Sequence, residues 1–218
     1  MRQTVMNKFP ILYSFRRCPW AMRARIAMHY AGVQCEIREV KLREKPAAFL
    51  AIAPKATVPT LVLPDGKIID ESMDIIDFAL KHHDPDNWGD ANMSEVDCLV
   101  SIAEGDFVKA VQRYKYHERF SEQSVEENRK LCEELLITDL EQRLGKHKFL
   151  LANKPSIADV AIFPLIRQFA AVDDTWFQTT PYSNTRVWLN SWMQSPHYIG
   201  AMKKYAPWKE GNLAEMFL

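Results

Sequence analysis

Cys18 lies in the stretch "FRRCPWAMRAR", where Arg16, Arg17, Arg23 and Arg25 surround it and Pro19-Trp20 follow it directly. Proline is favoured as the first residue of a helix because its missing N–H would have had no partner there. Cys18 is therefore expected at a helix N-cap, with the positive end of the helix dipole at its sulfur. A thiolate is stabilised in that position, and the arginines add charge, although helical geometry keeps them from all facing the sulfur. Such surroundings lower a thiol from about 8.5 into the ~3.5–7.5 range, which predicts an available nucleophile at neutral pH. The residue three beyond Cys18 is Ala21, so the motif Cys-Pro-Trp-Ala has no second thiol with which to form an internal disulfide. Cys35, Cys98 and Cys132 carry no comparable surroundings. They show neither CxxC nor Cys/His ligand spacing, which argues against zinc and for free thiols. His82 and His83 are adjacent, so on a helix they point about 100° apart and read as a solvated helix end instead of a metal site.

The elements that must position Cys18 follow from the pattern of apolar and turn residues. A short apolar strand is expected over Ile11–Ser14, a helix over Pro19–Ala31 stopped by Gly32, and a second strand over Cys35–Leu42. A short helix after Pro46, strands Thr60–Leu63 and Lys67–Ile69, and a helix from Glu71 to about His82 complete a βαβ-ββα order. "LVLPDGKII" reads as a hairpin, since proline presets φ and glycine accepts positive φ between two β-rich runs. The segment "HHDPDNWGDA" has the composition of a connector. We therefore expect an α/β domain over residues 8–83, a linker over 84–90 and an all-helical domain over 91–218. The helices of that second part are expected at Ser94–Tyr116, Ser124–Leu144, Ser156–Val172 and Thr185–Gln194. Ser156 and Asp159 are spaced as a capping box, and Pro164 predicts a kink in the helix that follows.

Composition narrows the function classes. With 28 basic and 28 acidic residues, no net field draws the chain to nucleic acid or to an anionic membrane. No apolar run approaches the ~20 residues of a spanning helix, and the N-terminus lacks a signal peptide's apolar core, so a cytoplasmic protein is expected. At 218 residues and 47% hydrophobic, the chain can bury roughly 70% of its unfolded surface in one or two cores.

"LYSFRRCPWAMRARIAMHYAGV" resembles the opening of a cytosolic glutathione S-transferase of the cysteine-type, omega-like group, in bacterial style. Val58-Pro59 in "ATVPTL" matches that family's residue before a cis-proline. Glu71-Ser72 in "IIDESMDII" matches the pair holding the γ-glutamyl end of glutathione, and Lys45 matches the lysine near the glycyl end. The Ser-Ile-Ala-Asp box resembles the capping box of the family's second domain, so the likeness spans nearly the whole chain.

The resemblance implies a thioredoxin-like domain followed by an all-helical one, glutathione as cosubstrate, no metal and a homodimer. It also implies thiol transfer through a mixed disulfide between Cys18 and glutathione. Glutathione is an extended peptide with two carboxylates, so the Val58 backbone suits its cysteinyl segment in strand-addition mode. The exposed N–H groups beside Ser72 suit a carboxylate, and Glu71 suits an ammonium. Trp20, Tyr114, Tyr116, Phe169 and Trp176 either pack as core or line an apolar acceptor pocket between the domains, Trp20, Tyr114 and Trp176 being the candidates. Two alternatives stay open. Tyr13 or Ser14 could activate glutathione for conjugation to electrophiles, as in tyrosine- and serine-type transferases, or the chain could be a binding protein without catalysis.

Overall fold

Ile11–Ser14 forms strand β1, and all four of its residues are buried, as expected for a central strand covered on both faces. It runs parallel to β2 (Cys35–Glu39) and antiparallel to β3 (Thr60–Val62). β3 turns through "LPDG" into β4 (Ile68–Ile69), with Gly66 at φ +86° and its N–H donating to the Leu63 carbonyl at 2.9 Å. That is the hairpin predicted from proline and glycine. The computed structural model describes residues 8–53, 55–120 and 122–218.

Helix α1 (Pro19–Tyr30) begins at Pro19 as expected, and α2 (Ala47–Ile52) follows Pro46. Helix α3 (Ser72–His82) buries Ser72, Ile75, Ile76 and Ala79, the i, i+3, i+4, i+7 face, and packs against α1. On one face of the sheet Ile11 and Tyr13 meet Phe49 and Ala53 in an apolar cluster. Strand alternation sends Leu12 and Ser14 to the opposite face.

Asp86–Ser195 forms a second compact unit, made of helices. The helix expected over Ser94–Tyr116 is α4 (Met93–Ile102) and α5 (Val108–Lys115) joined by a π-helical turn, Ala103–Phe107. Gly105 sits there at φ −83° and ψ −106°, outside the helical region, which interrupts the regular hydrogen-bond ladder. The next helix likewise divides into α6 (Val125–Cys132) and α7 (Thr138–Leu144) around a π turn. Helix α8 (Ile157–Ala170) is buried over nearly its whole length, and Pro164 does not end it. Helix α9 (Asp174–Thr179) was not legible in the sequence, and α10 is Ser183–Met193. Trp88, inside the expected linker, is buried in this unit: its carbonyl accepts from Ile157 N–H at 2.9 Å and its ring meets Trp192 at 5.6 Å.

The end of the chain departs from the all-helical expectation for residues 91–218. Pro196–Leu218 belongs to the same compact unit as the chain up to Pro85. After α11 (Pro196–Ala201), strand β5 (Glu215–Phe217) pairs antiparallel with β2, giving the sheet order β4-β3-β1-β2-β5. Three residues carry no readable alternation; the strand exists because β2 offers an open edge and Phe217 finds a buried place beside it. Among the described residues no helix is long and apolar enough to cross a membrane.

Candidate functional site at the start of α1

Cys18 is the N-cap of α1, in extended backbone at φ −75° and ψ 124°, and its carbonyl accepts the first helical bond from Met22 N–H at 2.8 Å. Its thiol donates to the Val58 carbonyl at 3.6 Å, and the Val58–Pro59 peptide is cis. The cysteine and the Val-Pro strand start, 40 residues apart in sequence, are therefore neighbours.

The electrostatics correct the sequence expectation. Burial pushes the Cys18 thiol above its ordinary value, while the N–H groups of Ala21 and Trp20 and the charge of Arg23 pull the other way without prevailing. Most of the surrounding arginine charge is engaged elsewhere. Arg25 is fully buried beside Glu39, and Arg17 lies over the Phe15 ring at 5.4 Å. Cys35 and Cys132, pushed by burial to about 12, are inert, and all four cysteines are free.

Ser72, the first residue of α3, is buried, and its Oγ accepts from Arg23 Nε at 3.0 Å and Nη2 at 2.7 Å. Two donors on the oxygen leave the hydroxyl hydrogen free to point to a third group, so a carboxylate arriving at the α3 N-terminus meets an O–H donor, backbone N–H groups and a buried guanidinium. Glu71 is exposed and accepts from Lys55 Nζ at 2.5 Å, which also lies 3.4 Å from Asp70. An ammonium reaching Glu71 would compete with Lys55, a residue with no signal in the sequence. Lys45, half-buried just before α2, has no hydrogen-bond or ion-pair partner among the described residues.

The two hydroxyls of β1 have separate fates. Tyr13 is buried, its ring stacks on Phe49 at 4.8 Å, and its hydroxyl accepts from Arg38 Nη1 at 2.5 Å. Strand alternation keeps it on the α2 face. Ser14 is fully buried on the other face, and its Oγ has no hydrogen-bond partner among the described residues. Trp20 is half-buried in the first turn of α1. In the second unit Tyr114 is buried against Phe169 at 6.0 Å, a core position, whereas Trp176 is half-buried with the Arg129 guanidinium 4.5 Å above its ring. No group of three or more His, Cys, Asp or Glu side chains suited to a metal occurs among the described residues.

With this geometry in hand, comparison with known proteins gives consistent matches. The chain matches the family description "Glutathione S-transferase, N-terminal domain" over residues 12–88 and "Glutathione S-transferase, C-terminal domain" over residues 122–191. It is 30% identical over 177 residues to a probable maleylacetoacetate isomerase of Caenorhabditis elegans, covering 73% of this chain and 78% of that protein. It is 27% identical over 210 residues to glutathione S-transferase omega-1 of Rattus norvegicus, covering 87% of this chain and 80% of that one. Among solved structures, a glutathione transferase family member from Pseudomonas fluorescens pf-5 with two glutathione bound superposes with a TM-score of 0.74 at 18% identity. That match covers 89% of this chain and 92% of the other, a likeness of fold.

Proposed function

This chain belongs to the glutathione S-transferase family, and from that premise we propose that it is a glutathione-dependent thiol transferase acting through Cys18. The family takes glutathione as cosubstrate. The observation that carries the reading is the Cys18 sulfur, held at the N-cap of α1 and 3.6 Å from the Val58 carbonyl. The backbone at Val58 and Pro59 is the edge to which glutathione's cysteinyl segment would add, so its sulfur would arrive beside Cys18. Ser72 with Arg23, Glu71 and Lys45 would take the charged ends of the ligand. Trp20, in the first turn of α1, is the aromatic surface proposed for the acceptor, and Tyr114 is read as core.

In the first step the Cys18 thiolate attacks the glutathione sulfur of a mixed disulfide. A Cys18–glutathione disulfide forms, the original S–S bond breaks, and the substrate leaves as a thiolate that takes up a proton. In the second step a glutathione thiolate attacks the bound glutathione sulfur, releasing glutathione disulfide and the Cys18 thiolate. Each mixed disulfide reduced consumes one free glutathione and forms one glutathione disulfide, whose other half comes from the substrate, so bonds and electrons balance. Treating the protein with glutathione disulfide and then mapping its peptides by mass tests the reading directly. One glutathionyl adduct, on Cys18, is expected; an adduct confined to the exposed Cys98, or none, would sink it.

The ligand contacts give a second expectation. Ser72→Ala and Glu71→Ala should each weaken glutathione binding by about 1–3 kcal/mol, the range for hydrogen bonds to charged groups. Calorimetry on folded variants checks this, and an unchanged affinity removes that residue from the site.

A second reading is favoured by the burial of the Cys18 thiol together with a Ser14 hydroxyl that has no hydrogen-bond partner among the described residues. On it, glutathione's own thiolate reacts, with Ser14 as its donor, in conjugation or in the isomerisation named for the Caenorhabditis elegans relative. Wild-type protein that conjugates a chloronitroaromatic far faster than it reduces a disulfide would decide for this alternative.

A further inference from the structure

We propose that Glu39 is a positioning residue for Cys18, held in place by the C-terminal strap Lys203–Phe217; the inference rests on the reading of Cys18 as the reacting group. Arg16, midway between β1 and Cys18, donates its backbone N–H to Glu39 Oε1 at 2.7 Å. Within the same turn Cys18 N–H donates to the Phe15 carbonyl at 2.9 Å, so the Glu39 carboxylate ties this turn to the end of β2. The bond is short and charge-assisted, the kind that fixes backbone position.

The carboxylate is itself held from the far end of the chain. Arg25 Nη1 lies 3.4 Å from Glu39 Oε2, and Arg25 Nη2 donates to the Lys203 carbonyl at 2.8 Å. The buried guanidinium also lies over the Tyr205 and Phe217 rings, each at 5.6 Å. Trp208 N–H donates to the Glu39 carbonyl at 2.8 Å, and its indole lies 4.3 Å beneath the Arg38 guanidinium. β5 pairing with β2 closes the strap. Its contacts therefore converge on the residue that holds the Cys18 turn. A sulfur that must line up with an incoming S–S bond loses rate steeply when its support shifts.

The test uses the full chain in a Cys98→Ser background, so that Cys18 is the accessible thiol. Glu39→Ala should lower kcat for reduction of a small glutathione mixed disulfide about tenfold while KM for glutathione stays within about twofold. The pH profile of Cys18 alkylation by iodoacetamide should move down toward that of an ordinary thiol, since a loosened turn lets water reach the sulfur. Glu39→Gln, which keeps an oxygen acceptor for Arg16 N–H, should restore most of the lost kcat. Trp208→Ala, which loosens the strap while leaving the carboxylate intact, should lower kcat about threefold. A folded Glu39→Ala protein with wild-type kcat and alkylation profile overturns the proposal, as does Glu39→Gln falling as far as Glu39→Ala. Should Glu39→Ala not fold, Trp208→Ala decides, and its wild-type behaviour overturns the strap. The alkylation profile needs no enzymatic turnover, so it judges Glu39 even where Cys18→Ala keeps disulfide reduction and the proposed function itself fails.

Discussion

Cys18→Ala is expected to lower glutathione-dependent reduction of a small mixed disulfide by about a thousandfold or more, because it removes the atom that exchanges partners in both steps. The half-buried thiol donates one weak hydrogen bond, to the Val58 carbonyl, so stability should change by less than about 1 kcal/mol. Loss of turnover without loss of fold is then the signature. The pH dependence has a definite sign. A thiol raised by burial is protonated at neutral pH, and its thiolate fraction grows about tenfold per pH unit until the raised value is reached. The rate of Cys18 alkylation in the ligand-free protein should therefore still be climbing above pH 8.5–9, about where a free cysteine levels off. Stopped-flow alkylation across that range measures it. A plateau near neutrality would mean that the helix dipole and Arg23 outweigh burial after all, and Cys18→Ala with wild-type disulfide reduction would pass the chemistry to Ser14.

Asp159→Ala should cost the fold far more than any substitution at the Cys18 site. The carboxylate is fully buried. It accepts from Leu150 N–H at 3.1 Å and Trp188 Nε1–H at 2.8 Å on one oxygen, and from Ser156 N–H and the Ser156 hydroxyl, each at 3.0 Å, on the other. Removing it strands four donors away from water, in the loop before α8, at the start of α8 and on α10. We expect a loss of about 3–5 kcal/mol, the range for breaking a buried charged network. For a unit of this size that corresponds to a drop in Tm on the order of 10 °C. Asp159→Asn keeps one acceptor oxygen but turns an NH2 group toward the remaining donors, so it should recover little. Thermal and urea unfolding of both variants checks the expectation, and a loss below about 1 kcal/mol would show that water replaces the carboxylate.

Much of the fold was legible because it is local. Proline after a short apolar run marks the start of α1, glycine and proline mark the β3–β4 turn, and the Ser156–Asp159 spacing marks the start of α8; each is a matter of a few adjacent residues. The site was legible to the same depth. Cys18 at an N-cap follows from Pro19, and Ser72 at the start of α3 follows from the apolar spacing after it. Two interruptions, at 103–107 and 133–137, were hidden because a π turn preserves the apolar face that sequence periodicity reads.

What tertiary structure alone decided is how the charges and hydroxyls of those segments are engaged. Four arginines around a cysteine look like an activated thiolate. Folding instead assigns Arg23 to Ser72, 49 residues on, and Arg25 to Glu39 and the Lys203 carbonyl, 178 residues on, while burial raises the thiol they were expected to lower. Tyr13 and Ser14 are neighbours in sequence, yet strand alternation gives one an arginine partner and leaves the other buried without one. The return of Glu215–Phe217 to β2 had no signal of its own, since three residues gain a strand's hydrogen bonds only where an edge awaits them. The physical reason is range: backbone conformation responds to adjacent residues, so the chain's own order determines where α1 begins and that Cys18 caps it. Ionisation and hydrogen-bond pairing depend on desolvation and on partners brought from far along the chain, and these exist only once the chain has closed on itself.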